Sequence, residues 1–298
     1  METPSERRAR LRALASKGGL AKAAKARERK HPTPYTGDFL SFMADAGMTG
    51  ESWGVWRSLW RCLDGLPLEP GDPELFTELT GRPVPTSPPR EVFTVAGRRS
   101  GKSQTSAARG FWVAARQDYG KRLAAGENAL VAVLASDRDQ ARQTLSYVKG
   151  LAGLRVFRPL VRRVLKDSVE LTTRAVVRVV VNNFRTVRGY SLAGVIADEL
   201  AFWPATEASA SPDVEVLAAA RPGLANLRGQ LLAISSPYAR KGALFAAFER
   251  FYGKPDPSTV VVQAPTLKLN PSLDPAIVEQ ALAEDPTAGV GRVSGAIP

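Results

Sequence analysis

The residues with the clearest potential for chemistry form a basic, glycine-containing segment at positions 96–103. It reads Ala96-Gly97-Arg98-Arg99-Ser100-Gly101-Lys102-Ser103 and directly follows a short apolar run. Between a strand and a helix, its glycines let the backbone approach a ligand, and the first N–H groups of the helix point at anionic oxygens. Lys102 is placed to reach terminal phosphates, and Ser103 offers a hydroxyl to Mg²⁺. The pattern predicts a nucleotide site whose phosphate loop has Ala96 in place of the usual first glycine.

A second candidate is an acidic pair that ends an apolar run, Val195-Ile196-Ala197-Asp198-Glu199. Beside a phosphate loop, Asp198 would hold Mg²⁺ through water, and Glu199 would orient and polarise an attacking water molecule. On its own, such a run is also typical of a strand that ends in two solvated acids. Together with the phosphate loop, the adjacent acids favour a nucleoside triphosphate hydrolase over a nucleotide kinase.

A third candidate closes another apolar run, in Ile234-Ser235-Ser236-Pro237. Small hydroxyl residues at the tip of a strand next to the acidic one can contact the γ-phosphate or its water and respond to the loss of that phosphate. The alternative is an ordinary Ser-Ser-Pro turn.

The elements that must position these residues indicate an α/β protein. Apolar runs predict strands at Val92–Ala96, Ala129–Ala135, Val169–Thr172, Val176–Val181, Leu192–Ala197, Gln230–Ser235 and Thr259–Ala264. Val169–Thr172 and Val176–Val181 read as a hairpin, and helices are predicted over residues 103–117, 137–148 and 243–251. Alternation of this kind is typical of a mostly parallel sheet covered on both faces, which binds ligands at the carboxyl ends of its strands.

The remaining chain predicts four parts. Residues 1–36 are a basic tail, either disordered or helical, and residues 37–90 combine a helical segment with a Pro-rich linker from residue 67. Residues 91–264 hold the alternating core, and residues 265–298 form a C-terminal linker and tail. The end of the tail, Thr287–Pro298, is Gly-rich and nearly uncharged, which predicts no regular structure.

Composition and charge exclude several classes of protein. With 298 residues, 44% hydrophobic and 23% charged, the chain is neither disordered, collagen-like nor a disulfide scaffold. The formal net charge of +12 points to a polyanionic partner. It is concentrated in residues 1–35, with ten basic and three acidic side chains, and residues 151–190, with nine basic and two acidic. Arg185 and Arg188 are expected to approach the active face through a loop.

Cysteine and histidine counts exclude further chemistry. A single cysteine, Cys62, forms no internal disulfide, which fits a reducing compartment. A single histidine, His31, lies in the basic tail, so a Ser-His-Asp or Cys-His site and a His-rich metal site are not expected. No apolar run approaches 18 residues, so no membrane-spanning helix and no membrane partner are expected.

The three candidate segments, in this order, resemble the ATPase part of tailed-phage terminase large subunits, the motors that drive genome DNA into a procapsid. The resemblance covers roughly residues 37–285. It lies in the phosphate loop, in Ile196-Ala197-Asp198-Glu199 followed by Phe202-Trp203, in Ser235-Ser236-Pro237 and in Ala264-Pro265-Thr266 with Asn270-Pro271. The family's fold is a phosphate-loop NTPase, and its ligands are ATP and Mg²⁺.

Carried over by position, the resemblance implies a role for each site residue. Lys102 and Ser103 would bind phosphate and Mg²⁺, Asp198 would bind Mg²⁺, and Glu199 would be the catalytic carboxylate. Arg98 falls where the family has an arginine proposed to stabilise transition-state charge. Ser235 and Ser236 would couple hydrolysis to movement. The remaining loop residues that would contact the nucleotide are Gly97, Arg99, Ser100 and Gly101.

The resemblance also implies partners: double-stranded DNA, a portal protein, a small terminase subunit and further copies of the chain in a ring, all in the bacterial host cytoplasm. Two departures stand out. The first glutamine is Gln104, so the adenine-contacting glutamine that the family often has upstream of the loop is missing. The Trp53–Trp60 segment either stacks on adenine or belongs to the core. The acid-rich nuclease domain of a full terminase is also missing, which predicts a truncated or frame-disrupted form.

Two alternatives remain open from the sequence. A helicase-type motor shares the phosphate loop and the Asp-Glu pair, but it needs a second motor domain, and about 100 residues after Glu199 are too few for one. A non-catalytic remnant would bind DNA or other subunits through its basic tail. ATP hydrolysis stimulated by DNA separates a motor from a remnant.

Overall fold

The apolar runs of the sequence form the strands of one sheet. The structure, a computed structural model, describes residues 33–180, 187–203 and 212–284, together with Gly295 and Ile297. These residues contain eight strands in the order β3-β4-β5-β2-β6-β7-β1-β8. Their bounds are β1 Glu91–Ala96, β2 Ala129–Leu134, β3 Val161–Val164, β4 Ser168–Leu171, β5 Ala175–Val179, β6 Leu192–Asp198, β7 Gln230–Ser235 and β8 Thr259–Ala264.

The sheet is mostly parallel, as predicted. β1 pairs in parallel with β7 and β8, β6 with β7 and β2, and β2 with β5. Only β3, β4 and β5 are joined by antiparallel pairing, and β4 and β5 are the predicted hairpin. The central strands are buried along almost their whole length, because helices cover both faces of the sheet. Apolar and polar residues therefore do not alternate along these strands.

Helices cover the sheet on both faces. They are α1 Phe39–Asp45, α2 Gly54–Asp64, α3 Asp72–Thr80, α4 Lys102–Ala115, α5 Arg138–Gly153, α6 Pro212–Leu227, α7 Gly242–Phe251, α8 Thr266–Leu269 and α9 Pro275–Glu284. Side chains of α1, α2, α4 and α5 share one buried cluster with the sheet, and those of α6 and α7 share a second. The phosphate-loop α/β fold predicted from the sequence is confirmed.

The Pro-rich stretch 67–90 contains a helix that the predicted linker did not include. Pro73 stands in the first turn of α3, where its fixed φ and missing N–H are tolerated, and Gly81 ends the helix with a φ of 67°. Phe76 and Leu79 are buried, so the helix belongs to the core. β3 and α6 are also additions. Pro222 inside α6 hides a helix from pattern reasoning.

The first described residues already pack against the rest of the fold. The ring of Tyr35 lies edge-on to Phe42, with 5.3 Å between centroids, and the Tyr35 N–H donates to the Ala115 carbonyl. The predictions for residues 1–32, for Arg185 and for nearly all of residues 285–298 lie outside the described residues. Within the described ranges, every helix is too short or too polar to cross a membrane.

Candidate functional site

Sheet order brings the three candidate segments together. β7 lies between β6 and β1, and all three strands run parallel, so their carboxyl ends meet at one edge. Asp198 ends β6, Ser235 ends β7, and the phosphate loop follows β1. Residues about 95 to 135 positions apart in the chain therefore become neighbours, at the edge where open α/β sheets bind ligands.

One of the two glycines of the phosphate loop has a backbone conformation that favours glycine. Gly101 precedes α4 with a φ of 86°, in the left-handed region that favours glycine. A Cβ atom at this position would lie 3.2 Å from Nε1 of Trp56 and 3.4 Å from the ring of Trp53, so a side chain there would also require Trp56 to shift by a few tenths of an ångström. Arg99 is left-handed as well, with a φ of 62°, although it carries a side chain.

Lys102 is buried and surrounded by oxygen atoms. Its Nζ lies 3.1 Å from Oε1 of Glu199, 3.0 Å from Oγ of Ser236 and 3.4 Å from the Gly97 carbonyl oxygen. The two side chains of the Lys102–Glu199 ion pair are 6% and 20% exposed. In this arrangement the catalytic candidate Glu199 is ion-paired with the same ammonium group that would bind a phosphate.

Glu199 directly follows β6 and is held by two residues at the end of β7. Its Oε2 accepts hydrogen bonds from the Ser236 N–H at 2.9 Å and from Oγ of Ser235 at 3.2 Å. Its backbone is left-handed, with a φ of 48°, a conformation that costs a non-glycine residue roughly 1–2 kcal/mol. The strained backbone turns the glutamate out of the direction of β6 and across the end of β7. The two serines and the glutamate thus form one connected network.

Asp198 is the buried partner of Ser103. Its Oδ1 accepts from Oγ of Ser103 at 3.3 Å, and its Oδ2 accepts from Oγ1 of Thr144 on α5. Burial raises the pKa of Asp198 above its usual range, and the neighbouring charge of Glu199 adds to this. The hydroxyl of Thr144 and the ammonium of Lys102 act against the rise. Thr144 was missed by sequence reasoning, and its only signal is a polar residue at a buried position of an amphipathic helix.

The exposed part of the loop borders a cleft of about 400 Å³. Its lining includes Trp53, Arg99, Ser103, Gln104 and Tyr147. Of the Trp53–Trp60 segment, only Trp53 borders this cleft, whereas Trp56 and Trp60 are 3% and 2% exposed and belong to the core. Trp56 and Trp60 therefore fit the core interpretation, and stacking on adenine stays a prediction that only Trp53 of these three is placed to meet.

The side chain of Arg98, unlike those of Lys102, Ser103, Asp198 and Glu199, does not join the hydrogen-bonded network of the site. Its side chain is exposed and makes no hydrogen bond or ion pair with the described residues. Its backbone carbonyl accepts from Oγ1 of Thr266 at 3.0 Å. The role carried over for its guanidinium stays a prediction.

The fold has close counterparts among solved structures of phage large terminases. The ATPase domain of the Thermus phage P74-26 large terminase superposes with a TM-score of 0.54 at 18% identity, covering 75% of this chain and 97% of that domain. The large terminase of bacteriophage HK97 superposes with a TM-score of 0.52 at 17% identity, covering 77% of this chain but 50% of the HK97 protein. This chain has the fold of a large-terminase ATPase domain. No protein-family model and no curated protein sequence matches it.

Within this terminase-like fold, the donors fit a magnesium nucleotide. Ser103 and Asp198 offer adjacent oxygen ligands, the atom type that Mg²⁺ prefers, and Mg²⁺ usually completes its shell with waters and phosphates. Among the described residues, no three His, Cys, Asp or Glu side chains gather into a closed metal cage. The Oγ of Ser100 is buried in the loop without a hydrogen-bond partner, which leaves a donor for a phosphate oxygen.

Five basic residues of the 151–190 block lie on or next to an edge strand of the sheet. They are Arg155, Arg158, Arg162, Arg163 and Lys166, all exposed on and beside β3. Five strands separate β3 from β1, a distance of roughly 29 Å at the usual strand spacing. Arg188, also exposed, precedes β6. The five exposed residues around β3 therefore form a basic outer edge of the sheet rather than a rim of the cleft.

Proposed function

We propose that this chain is an ATP-hydrolysing motor of the large-terminase kind, which binds ATP and Mg²⁺ at residues 97–103 and acts on double-stranded DNA. The observation that carries the proposal is the convergence of Lys102, Ser103, Asp198 and Glu199 at the ends of adjacent parallel strands. In a phosphate-loop fold, this set supplies an ammonium for phosphate, oxygen ligands for the metal and a carboxylate for water.

The geometry supports a defined order of events. The triphosphate takes over Lys102, which releases Glu199 from its ion pair. Glu199 then orients water in line with the γ-phosphorus and accepts its proton while the bond to the bridging oxygen of ADP breaks. Bound Mg²⁺ would neutralise charge on the terminal phosphate oxygens, with Ser103 and Asp198 holding it. We propose that the guanidinium of Arg98 stabilises the negative charge on the same phosphate oxygens in the transition state.

The coupling step in this proposal lies at β7. The Ser236 N–H and the Ser235 hydroxyl both bond to Oε2 of Glu199, and Ser236 also contacts Lys102. Any displacement of Glu199 or Lys102 on phosphate release must change bonds at the end of β7. The Ser235 hydroxyl also accepts from the N–H of Ala201, which links the two strand ends directly.

The partners are proposed from the likeness to large terminases and from the exposed basic residues around β3. DNA would follow the basic outer edge around β3, where Arg155, Arg158 and Arg162 are exposed. A ring of copies, a portal protein and a small terminase subunit in the host cytoplasm would complete the packaging motor.

The proposal is tested by ATP hydrolysis with and without double-stranded DNA. We expect basal turnover that DNA increases, and its loss in Lys102→Ala and Glu199→Ala. Charge reversal at the outer edge, Arg155→Glu with Arg162→Glu, should reduce stimulation by DNA and spare basal turnover, because the edge is far from the loop. No hydrolysis by the folded, intact chain in either condition would instead favour a DNA- or subunit-binding remnant.

A further inference from the structure

Three successive carbonyl oxygens of the phosphate loop accept hydrogen bonds from side chains outside the loop. They belong to residues 98–100, and each accepts one hydrogen bond. In order, the donors are Oγ1 of Thr266 at 3.0 Å, Nδ2 of Asn270 at 3.0 Å and Nε1 of Trp56 at 2.8 Å. Trp56 comes from α2, before the sheet, whereas Thr266 and Asn270 follow its last strand. Both ends of the described core therefore meet on the loop.

These bonds decide which way the N–H groups of the loop face. In a planar trans peptide, the carbonyl of one residue and the N–H of the next point in opposite directions. Fixing the three carbonyls outward therefore directs the N–H groups of residues 99–101 to the opposite side. Within the described chain, none of the backbone N–H groups of residues 98–104 has a protein acceptor. One side of the loop thus presents free backbone N–H groups, and the carbonyl oxygens of residues 98–100 are hydrogen-bonded on the other side.

An anion would meet a different loop without these donors. A free carbonyl oxygen can rotate toward the ligand side, where it repels phosphate and competes for the same N–H groups. A loop that must be ordered on binding also binds more weakly, since the loss of conformational freedom then opposes association. Trp56 and Thr266 are 3% and 1% exposed, so their bonds are shielded from water.

We propose that Trp56, Thr266 and Asn270 are positioning residues for the phosphates: they hold the carbonyls of residues 98–100 outward, so that the loop is arranged for an anion before the nucleotide arrives. The inference rests on the proposed nucleotide site. It gives the aromatic α2 segment a role in phosphate binding, distinct from base stacking and from simple core packing.

A matched pair of tryptophans on one helix tests the proposal. Trp60 lies one turn after Trp56, is equally buried, and donates its Nε1–H to Oγ1 of Thr105 at 3.2 Å, inside α4 rather than in the loop. Trp56→Phe and Trp60→Phe each remove one buried indole N–H and keep an aromatic ring. The probes are ADP and a non-hydrolysable ATP analogue with Mg²⁺, measured by calorimetry, with ATP turnover measured in parallel.

For Trp56→Phe we expect the Kd to rise about fivefold, because the freed part of the loop must then be ordered when the nucleotide binds. KM should rise with kcat unchanged. Trp60→Phe should bind like the wild type. A second variant, Asn270→Ala, removes the donor to Arg99 without adding charge to the cleft that Asn270 borders, and it should also weaken binding. This variant applies if Trp56→Phe does not fold. Equal effects of the two tryptophan variants, or unchanged binding in Asn270→Ala, would overturn the proposal. Absence of binding in the wild type would refute the nucleotide site itself.

Discussion

Replacing Glu199 by glutamine should tighten nucleotide binding while it stops catalysis. Glu199 holds Lys102 at 3.1 Å, with the two side chains 20% and 6% exposed. At an effective dielectric constant near 20, the attraction at this distance is about 5 kcal/mol before desolvation is subtracted. Desolvation and competing hydrogen bonds leave a net value of roughly 1–2 kcal/mol, which the incoming phosphate must replace.

The expected affinities follow from that net value. Glu199→Gln keeps the shape and removes the charge, so the Kd for ADP and for a non-hydrolysable ATP analogue should fall about 5- to 30-fold. Turnover should fall by about 10²- to 10⁴-fold, because a glutamine cannot accept the proton of water. Lys102→Ala should weaken binding in either background, and the difference between the two backgrounds isolates the pair in a double-mutant cycle.

Calorimetry with both nucleotides measures these constants, and Glu170→Gln is the matched control. Glu170 is also ion-paired, to Arg163 at 3.4 Å, but on the outer strands, so its neutralisation should leave the Kd unchanged. Affinity in Glu199→Gln equal to or weaker than that of the wild type would refute the idea that Glu199 competes with phosphate for Lys102.

Two further predictions concern charge and the tail. Burial raises the pKa of Asp198, so the folded state favours its protonated form, and the contribution of this group to stability is lost as pH rises through the raised pKa. Asp198→Asn should therefore have a Tm at neutral pH no lower than the wild type, while Mg²⁺-dependent nucleotide binding is lost; a clearly lower Tm contradicts this. Deleting residues 1–32 should weaken salt-sensitive DNA binding and spare basal ATP hydrolysis, with gel shifts at several salt concentrations as the measurement. The deletion stops before Tyr35 because that ring packs against the core, and loss of basal turnover would show that the tail supports the fold.

The order of the candidate segments was sufficient to predict the fold. A phosphate loop after a strand, an acidic pair at the end of another and alternating helices specify a parallel sheet, and the observed strands match most of the predicted runs within a residue or two. Such strands can be read from the sequence because a strand that is buried on both faces is hydrophobic at nearly every position. α3 and α6 were not readable, because Pro73 and Pro222 lie within them and proline usually marks a break.

The chain itself determined which residues could do chemistry: Lys102, Ser103, Asp198 and Glu199 were identified by type and by position after apolar runs. Tertiary structure alone decided how they are connected. The strand order places β7 between β6 and β1, which puts Ser236 between Lys102 and Glu199 and pairs the lysine with the carboxylate. The donors to the loop carbonyls come from residues about 45 positions before it and 170 after it. Such contacts depend on how helices and strands pack in space, and no local pattern of residues encodes them.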